Sequence, residues 1–506
     1  MLPEVIARAA VDHRETVAYR THEGWDLTYA ELDLLSDEAA AWLAMRGLGE
    51  GSVLALCLPS RVDYIVAFLA AAKVGAVTAG LNPRFRPRER ASALEVLQPD
   101  LVLAPTGDSE GIPGDFDVEQ IHLAGSAEEI LAAERVIGET VPRLADDPDR
   151  PVVICFTSGS TGEPKGAWYT NRQLAVIADL DTGGAWGGGG HRYASTEFAH
   201  VGVMTKLPWL LASGGTTHLL DKWRAEPVLE LIDEYRMPAV SAIAPQIALM
   251  LRVPDLDRFD FSCVKAIVSG GAHASPDLVR AGRDLFGAPW SIRYSSTESG
   301  GVGLATALDA DDDEALYTVG RPRAGVEADV RLADGAMAGC GEVGELWLRS
   351  GAVMSGYWNN PAATAEALVD GWLRTGDLAM VDEAGCYRLA GRVKEMFIRG
   401  GYNVYPLEVE AVLGTHAKVA QVAVVPRADA VMGEIGVAVV VPADPDDPPS
   451  LDELRAAGGD ELAAYKLPEA MRLVEALPVN ATDKVDRSQL IDVEREHEHE
   501  LSGTAD

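Results

Sequence analysis

Apolar residues recur at helical spacing near the start of the chain and then alternate with short β-rich runs. Residues 27–48 place apolar side chains three or four positions apart, and Thr28 with Glu31 has the pattern of a helix-capping box. A β-rich run follows at 52–60, then an apolar helical stretch from Tyr64, and strand and helix signals alternate to about residue 310. This alternation predicts an α/β fold of parallel sheets covered by helices.

The pattern changes after Tyr317. Short β segments at 344–350 and 385–391 lie between turn residues, which predicts a small β-barrel or meander. Pro406 is placed to begin a helix, and two apolar strand patterns follow it. The C-terminal part of the chain is therefore predicted to be a small α+β unit.

Composition and charge narrow the class of protein. The chain has 506 residues, of which 47% are apolar, so several domains with sizeable cores are expected. The net charge of −35 disfavours nucleic acid and anionic membranes as partners, and no apolar run reaches the length of a membrane span. The five cysteines include no CxxC pair, which favours small buried side chains and a cytoplasmic location over a disulfide framework.

A glycine- and hydroxyl-rich loop, FTSGSTGEPKG at 156–166, follows the apolar strand pattern PVVIC. Glycines let successive backbone amides approach an anion, while hydroxyls and the Lys165 ammonium add donors. The loop differs from the common P-loop because Pro164 stands where the second glycine would be. It predicts a polyphosphate site, and a solvent-exposed hinge loop is the alternative.

Five motifs in order resemble those of the acyl-adenylate-forming, or AMP-binding, enzymes, which include acyl-CoA synthetases, luciferases and the adenylation domains of peptide synthetases. The motifs are TSGSTGEPKG (157–166), YSSTES (294–299), RTGD (374–377), GRVKEMFIRGGYNVYPLEVE (391–410) and LPVNATDKVDR (477–487). The resemblance implies ATP-dependent activation of a carboxylic acid to acyl-AMP with release of pyrophosphate. Transfer to the thiol of coenzyme A would follow, so ATP, Mg²⁺ and coenzyme A are the implied cofactors.

The resemblance also implies roles for residues. Lys484, Thr297, Glu298, His200 and Lys165 are the implied catalytic residues, and Thr161 and Glu298 the implied Mg²⁺ contacts. The implied ATP and AMP contacts are Thr157, Ser158, Gly159, Ser160, Thr161, Gly162, Lys165, Gly270, Gly271, Ala272, Tyr294, Ser295, Ser296, Thr297, Asp377, Arg392 and Lys484. Taken alone, Glu298 reads as a helix N-terminal acid, Gly270 and Gly271 as an ordinary turn, and Asp377 as a turn residue.

The acid pocket is assigned by the same resemblance to Phe198, His200, Val201, Gly202, Gly270, Gly301 and Val302. Small residues after Glu298 suit an aryl, cinnamate-like or fatty acid. A lone histidine such as His200 is more often structural than catalytic. The run Gly183–Gly190 is either a lid over the acid site or a flexible connection.

The implied domains are 1–391 for ATP and the acid, a hinge at 392–394 that pivots at Lys394, and a mobile domain at 395–490. The charged tail 491–506 is predicted to be disordered. Arg399, Gly400 and Gly401 are expected near the coenzyme A channel. Between 388 and 399 there are four basic residues and one acid, Glu395, which is a local reversal of the overall charge. This reversal predicts an anion site in which part of the cluster, including Arg399, meets ATP or the phosphates of coenzyme A; exposed strand charges would give the same count.

Two positions depart from the family pattern: Asp483 and Ser295 replace the usual glycines. The alternatives therefore stay open. One is an adenylating enzyme with another substrate or acceptor, such as a carrier-protein thiol, an amine, or nitrite activated for diazotisation. Another is a non-catalytic nucleotide-binding relative. The acid and the oligomeric state are open, with a homodimer as one alternative.

Overall fold

The structure is a computed structural model that describes residues 1–157, 164–182, 189–272, 274–459, 461–480 and 484–503, without the side chains of 496–503. The helices are α1 (Leu2–Asp12), α2 (Tyr29–Met45), α3 (Val62–Val74), α4 (Pro87–Leu97), α5 (Asn171–Thr182), α6 (Val201–Met204), α7 (Leu207–Ala212), α8 (Ala225–Glu234), α9 (Ala244–Met250), α10 (Pro276–Phe286), α11 (Asp312–Tyr317), α12 (Pro361–Ala367), α13 (Pro406–Leu413), α14 (Leu451–Gly458) and α15 (Arg487–Gly503).

The strands, in chain order, are β1 (Val17–Arg20), β2 (Asp26–Thr28), β3 (Val53–Leu56), β4 (Val77–Gly80), β5 (Leu101–Pro105), β6 (Val118–Ile121), β7 (Pro151–Thr157), β8 (Lys165–Thr170), β9 (His191–Tyr193), β10 (Thr216–His218), β11 (Ala239–Ser241), β12 (Ala266–Gly270), β13 (Trp290–Tyr294), β14 (Leu304–Ala305), β15 (Arg321–Pro322), β16 (Glu327–Arg331), β17 (Gly344–Arg349), β18 (Gly356–Tyr357), β19 (Leu368–Val369), β20 (Trp372–Val381), β21 (Tyr387–Arg392), β22 (Phe397–Arg399), β23 (Tyr402–Val404), β24 (Val419–Asp429), β25 (Gly433–Pro442) and β26 (Ala470–Leu473).

Local signals set several helix starts. The Thr28 amide donates to Glu31 Oε2 at 2.8 Å, and the Glu31 amide donates to Thr28 Oγ1 at 3.2 Å, so the predicted capping box at the start of α2 is confirmed. Pro406 is the first residue of α13, as its fixed φ predicts.

A seven-stranded sheet, β18-β8-β7-β4-β3-β5-β6, carries the glycine-rich loop. Strands β7, β4, β3, β5 and β6 pair in parallel, whereas β8 and β18 add antiparallel. Both β3 and β4 are fully buried along their length, which explains their near-continuous apolar sequences. Ala55, Ala79 and Ile154 belong to the core on this sheet.

A second sheet, β11-β12-β13-β14-β15, begins with two parallel pairings and ends with two antiparallel ones. Its core includes Val240, Ile267 and Trp290, and the Trp290 indole donates to Ser269 Oγ at 2.7 Å. A four-stranded sheet, β2-β1-β10-β9, also contains parallel pairings. The prediction of an α/β fold with parallel sheets is confirmed.

The chain divides into two units, 1–328 with 348–374 and 329–347 with 375–506. The second unit contains the sheet β23-β22-β25-β24, with β26 paired to β25. The division falls within β16, β17 and β20, which belong to a sheet of order β16-β17-β20-β19 with β21 on β20. The hinge at 392–394 stays a prediction.

The segment 491–506, predicted as a disordered tail, differs from that expectation because α15 extends to Gly503. Leu490 and Glu494 are buried, and Glu494 Oε1 lies 3.2 Å from Arg472 Nε. This packing and ion pair hold the helix on the second unit. Among the helices of the described ranges, none combines the length and apolar character that crossing a bilayer requires.

Candidate nucleotide and acid site

The glycine-rich loop connects the two strands of a hairpin. Thr157 ends β7, Lys165 begins β8, and the two residues face each other in the antiparallel register. The predicted contacts Ser158, Gly159, Ser160, Thr161 and Gly162 lie outside the described residues, as does most of the run Gly183–Gly190. The hairpin therefore fixes both ends of the predicted phosphate loop.

Lys165 and Glu298 contact the same tyrosine. The Lys165 ammonium lies 5.1 Å from the centroid of the Tyr357 ring, and the Tyr357 hydroxyl donates to Glu298 Oε1 at 2.8 Å. Burial, together with the Glu298 charge, raises the pKa of Tyr357 above its usual range, so the phenol stays a donor. Among the described residues, no carboxylate lies within ion-pair distance of Lys165.

The backbone around Thr297 and Glu298 is held in a tight turn. The buried Tyr169 hydroxyl, on β8, donates to the Thr297 carbonyl, and the Met354 amide donates to the Glu298 carbonyl at 2.8 Å. Ser296 and Ser299 exchange side-chain and backbone hydrogen bonds at 3.0–3.2 Å. Strand β8 thus positions both Lys165 and the turn that carries Thr297 and Glu298.

The predicted purine contacts lie at the carboxyl ends of adjacent parallel strands. Gly270 ends β12, Tyr294 ends β13, and Gly270 pairs with Arg293. A Cβ at Gly270 would lie 2.6 Å from the Arg293 carbonyl oxygen, so glycine is required there. Gly271 and Ala272 follow directly, and Ser295 is partly buried after Tyr294. Such strand ends form the usual ligand crevice of open α/β sheets.

His200 is exposed and caps α6. Its Nδ1 accepts the Gly202 amide at 3.0 Å, which leaves the proton of the neutral ring on Nε2. Phe198, Val201 and Val302 are buried, whereas Gly202 is exposed. A Cβ at Gly301 would lie 4.0 Å from Val201 Cγ2, so two predicted acid-pocket residues are neighbours.

A buried charge cluster adjoins these residues. The Lys206 ammonium donates to the Gly301 carbonyl at 3.2 Å and is ion-paired with Asp181, which also pairs with Arg323 at 2.7 Å. Burial lowers the pKa of Lys206, and the Asp181 charge opposes that shift. Burial alone would raise the pKa of Asp181, but the two cations hold it below its usual range.

In the second unit the predicted ribose contacts meet. Asp377 and Arg392 face each other across β20 and β21, and their side chains are 3.1 Å apart. Arg388 pairs with Asp382 at 3.2 Å and Arg399 pairs with Glu469, so three basic residues of the predicted anion cluster have carboxylate partners. Folding thus offsets much of the charge reversal seen in the sequence.

The remaining predicted residues of the second unit lie in turns or on its surface. Gly400 and Gly401 join β22 to β23, both with positive φ (56° and 89°), as a two-residue hairpin turn demands. Lys394 is exposed. The Lys484 amide donates to Asn480 Oδ1 at 3.2 Å, and the Asn480 amide donates to the Lys484 carbonyl at 2.8 Å. Asp483 lies outside the described residues.

Comparison with known proteins identifies the family. The protein-family model of the AMP-binding enzyme matches residues 6–358. The family model of the AMP-binding enzyme C-terminal domain matches residues 408–484. The chain belongs to the AMP-binding enzyme family. The resemblance stated from the motifs is thereby confirmed.

Three proteins to which this chain is similar differ in the reaction that their names describe. Feruloyl-CoA synthase of Amycolatopsis sp is 33% identical over 492 residues, covering 92% of this chain and 93% of the relative. Long-chain-fatty-acid–CoA ligase FadD13 of Mycobacterium tuberculosis is 30% identical over 473 residues, 91% of each chain. The structure of amide bond synthetase McbA from Marinactinospora thermotolerans has a TM-score of 0.85 at 29% identity, covering 97% of this chain and 99% of that one.

The donor set of this AMP-binding enzyme fits a magnesium ion held together with phosphates. Within the described ranges, no group of three or more His, Cys, Asp or Glu side chains is arranged to hold a metal. Mg²⁺ is commonly bound through one or two carboxylates and substrate phosphates, and the Glu298 carboxylate supplies such an oxygen. The other predicted contact, Thr161, lies outside the described residues.

The predicted site is contacted by three residues that no sequence pattern had pointed to. They are Tyr357, Tyr169 and Lys206. Tyr357 is 59 positions from Glu298 and Lys206 is 95 from Gly301. No local periodicity or turn signal marks such pairs, because tertiary packing alone brings them together. Lys206 is the exception, because a charged residue within an apolar helical stretch indicates that a buried partner is needed.

Proposed function

We propose that this AMP-binding enzyme is an ATP-dependent acid–CoA ligase. A carboxylate oxygen of the acid attacks the α-phosphorus of ATP, the bond to the β-phosphate oxygen breaks, and pyrophosphate leaves with that electron pair. The sulfur of coenzyme A then attacks the acyl carbon, the bond to AMP breaks, and the thiol proton passes to solvent. Both steps gather anions, so positioned positive charge supplies much of the catalysis.

The observation that carries this proposal is the shared contact of Lys165 and Glu298 with Tyr357. A cation suited to phosphate and a carboxylate suited to Mg²⁺ are held by one side chain, beside the hairpin that carries the glycine-rich loop. Bound Mg²⁺ would neutralise phosphate charge there. An isolated hinge loop would not need this arrangement.

The other nucleotide contacts follow from their placement. We assign the purine to the strand ends at Gly270, Gly271, Ala272 and Tyr294, with Thr297 beside the α-phosphate. Asp377 accepts from the ribose hydroxyls and Arg392 donates to the same sugar, in keeping with their pairing across β20 and β21. His200 stands at the acid pocket with Val201 and Gly301.

The second unit contributes to both steps. Lys484 neutralises the substrate carboxylate and the α-phosphate during adenylation, and a pivot at Lys394 then brings the turn at Gly400 and Gly401 to the thiol channel. The proposal draws support from the match of the C-terminal family model to residues 408–484.

ATP–pyrophosphate exchange with a panel of aryl, cinnamate-like and fatty acids, which includes dicarboxylic acids of each kind, tests the proposal. The expected result is acid-dependent exchange that requires Mg²⁺, and an acyl-CoA product detected by mass spectrometry once coenzyme A is added. Exchange without any acid, or no exchange with any acid of the panel, would contradict it.

Amide formation is the second candidate, favoured by the similarity to the amide bond synthetase McbA. Both candidates share the adenylation step and differ in the acceptor. Adding coenzyme A or a panel of amines to the preformed acyl-adenylate separates them, because the first yields a thioester and the second an amide.

A further inference from the structure

The charge cluster beside the predicted acid pocket contains more positive than negative charge. Lys206 and Arg323 share the single carboxylate of Asp181, and the side chains of Lys206 and Asp181 are only 10% and 8% exposed. Arg293 is the third cation: its charge lowers the pKa of Lys206, and its own pKa is lowered by burial and by Arg323. Three positive charges therefore face one negative charge.

Arg293 also lacks a hydrogen-bond acceptor at one buried atom. Its Nε is fully buried and has no partner among the described residues. Leaving a buried charged donor unsatisfied is costly, and such groups generally meet a ligand, water or ion. The cluster therefore has one buried donor for which the described part of the chain supplies no acceptor.

Two other buried cations in the molecule are balanced differently. Lys73 lies 2.7 Å from both Asp33 and Asp37, so one cation faces two carboxylates. Arg487 likewise pairs with Glu410 at 2.6 Å and Glu395 at 3.1 Å. In these two ion pairs the carboxylates outnumber the cation, whereas in the Lys206 cluster the cations outnumber the carboxylate.

The cluster borders the predicted acid pocket. The Lys206 ammonium donates to the Gly301 carbonyl, and a Cβ at Gly301 would lie 3.3 Å from Lys206 Cε and 4.0 Å from Val201 Cγ2. Since Gly301 has no side chain, only its backbone covers the end of the lysine at that position. A bound acid that reaches Gly301 would come within range of the excess positive charge.

We propose that the acid activated by this enzyme carries a second anionic group, which Lys206 and Arg293 bind at the wall of the acid pocket beside Gly301. The inference rests on the proposed function, because it names the class of acid: a dicarboxylate or an aryl acid with an added anionic substituent. The excess positive charge is neutralised by the substrate, whereas a plain alkyl chain or an uncharged ring would leave it uncompensated.

The experiment compares each diacid with its own half methyl ester, which has nearly the same shape but lacks the second charge. Adipate, suberate and 4-carboxycinnamate are each paired with their monomethyl esters in ATP–pyrophosphate exchange. At least one diacid is expected to exceed its half ester roughly 30-fold in kcat/KM, the effect of leaving a buried charge without its partner. The same diacid should raise the Tm of the enzyme more than its half ester does.

Substitutions test whether the preference for a diacid over its half ester depends on Lys206 and Arg293. Lys206→Met is expected to bring the diacid-to-ester ratio close to one, and Lys206→Arg is expected to retain it. Lys73→Met is the matched control: it removes another buried, ion-paired lysine and should lower stability without changing the ratio. Should Lys206→Met fail to fold, Arg293→Gln should reduce the ratio several-fold.

The inference is overturned if every wild-type pair has equal kcat/KM while monocarboxylates are activated, or if Lys206→Met and Arg293→Gln both keep the preference. In that case acid activation stands and the cluster is structural. If neither diacids nor monocarboxylates support exchange, the proposed function itself fails, and this inference fails with it.

Discussion

Lys165 in the first unit and Arg399 in the second are both predicted to meet phosphates, yet the two cations have different partners in the folded chain. Lys165 lies over the Tyr357 ring and, within the described ranges, has no carboxylate at ion-pair distance. Arg399 is paired with Glu469, and its side chain is only 18% exposed. Both were singled out as cations near a glycine-rich turn.

The difference bears on what each cation can contribute to binding. A phosphate at Lys165 gains a charge-assisted contact without breaking an existing ion pair, whereas a phosphate at Arg399 must compete with Glu469. We therefore expect the first unit to hold most of the nucleotide-binding charge. The contribution of the second unit to adenylation should be concentrated at Lys484.

The largest effect is expected for Lys484→Ala. Loss of this ammonium should reduce ATP–pyrophosphate exchange by about 500-fold, because positive charge at the reacting phosphate acts in the transition state. Transfer from supplied acyl-adenylate to coenzyme A should stay close to wild type. Lys418→Ala, which removes a surface lysine paired with Asp447 and Glu453, is the control and should leave both steps unchanged. Full exchange activity in Lys484→Ala would exclude its assigned role.

Glu298→Gln should come next, with exchange lowered about 100-fold and a higher Mg²⁺ requirement, since a neutral amide is a weak magnesium ligand. Tyr357→Phe removes the hydrogen bond to Glu298 but keeps the carboxylate, so a loss of about tenfold is expected. Titration of Mg²⁺ in the exchange assay measures both. Equal magnesium dependence in wild type and Glu298→Gln would count against the magnesium assignment.

Lys165→Met tests the cation of the first unit. It should lower exchange about 30-fold, mainly through the KM for ATP, because a charged hydrogen bond to phosphate is lost. Lys165→Arg keeps the charge and should recover most of the activity. If the KM for ATP does not change in Lys165→Met, the expected difference between Lys165 and Arg399 in phosphate binding is wrong.

The smallest effect is expected for Arg399. Arg399→Gln should raise the KM for coenzyme A about threefold and leave the KM for ATP unchanged, in line with the modest net value of a cation that already has a partner. Glu469→Gln releases Arg399 and should shift the KM for coenzyme A in the opposite direction. Steady-state thioester formation measures both, and a shift in the KM for ATP as large as that in Lys165→Met would refute the comparison.

Local features of the fold were readable from the sequence. The capping box at Thr28, the helix start at Pro406 and the buried strand before the glycine-rich loop all depend on residues a few positions apart. The alternation of strand and helix signals likewise indicated parallel sheets, because parallel strands need a long crossover connection, which is usually a helix.

Contacts between residues far apart in the chain could not be predicted from the sequence. The local excess of basic residues at 388–399 suggested an anion site, but Asp382, Asp377 and Glu469 lie outside that window and pair with three of them. The contacts of Tyr357 with Glu298 and of Lys206 with Asp181 were missed for the same reason. A charge count along the chain ignores partners that only packing supplies.

Oxygen-18 transfer tests acyl-adenylate formation most directly. An acid that the enzyme activates is labelled with oxygen-18 in its carboxylate and incubated with ATP, Mg²⁺ and coenzyme A. The mass of the released nucleotide is then measured by mass spectrometry. The account predicts that AMP gains one labelled oxygen and pyrophosphate gains none. Label in inorganic phosphate together with ADP, or unlabelled AMP alongside acyl-CoA, would contradict it.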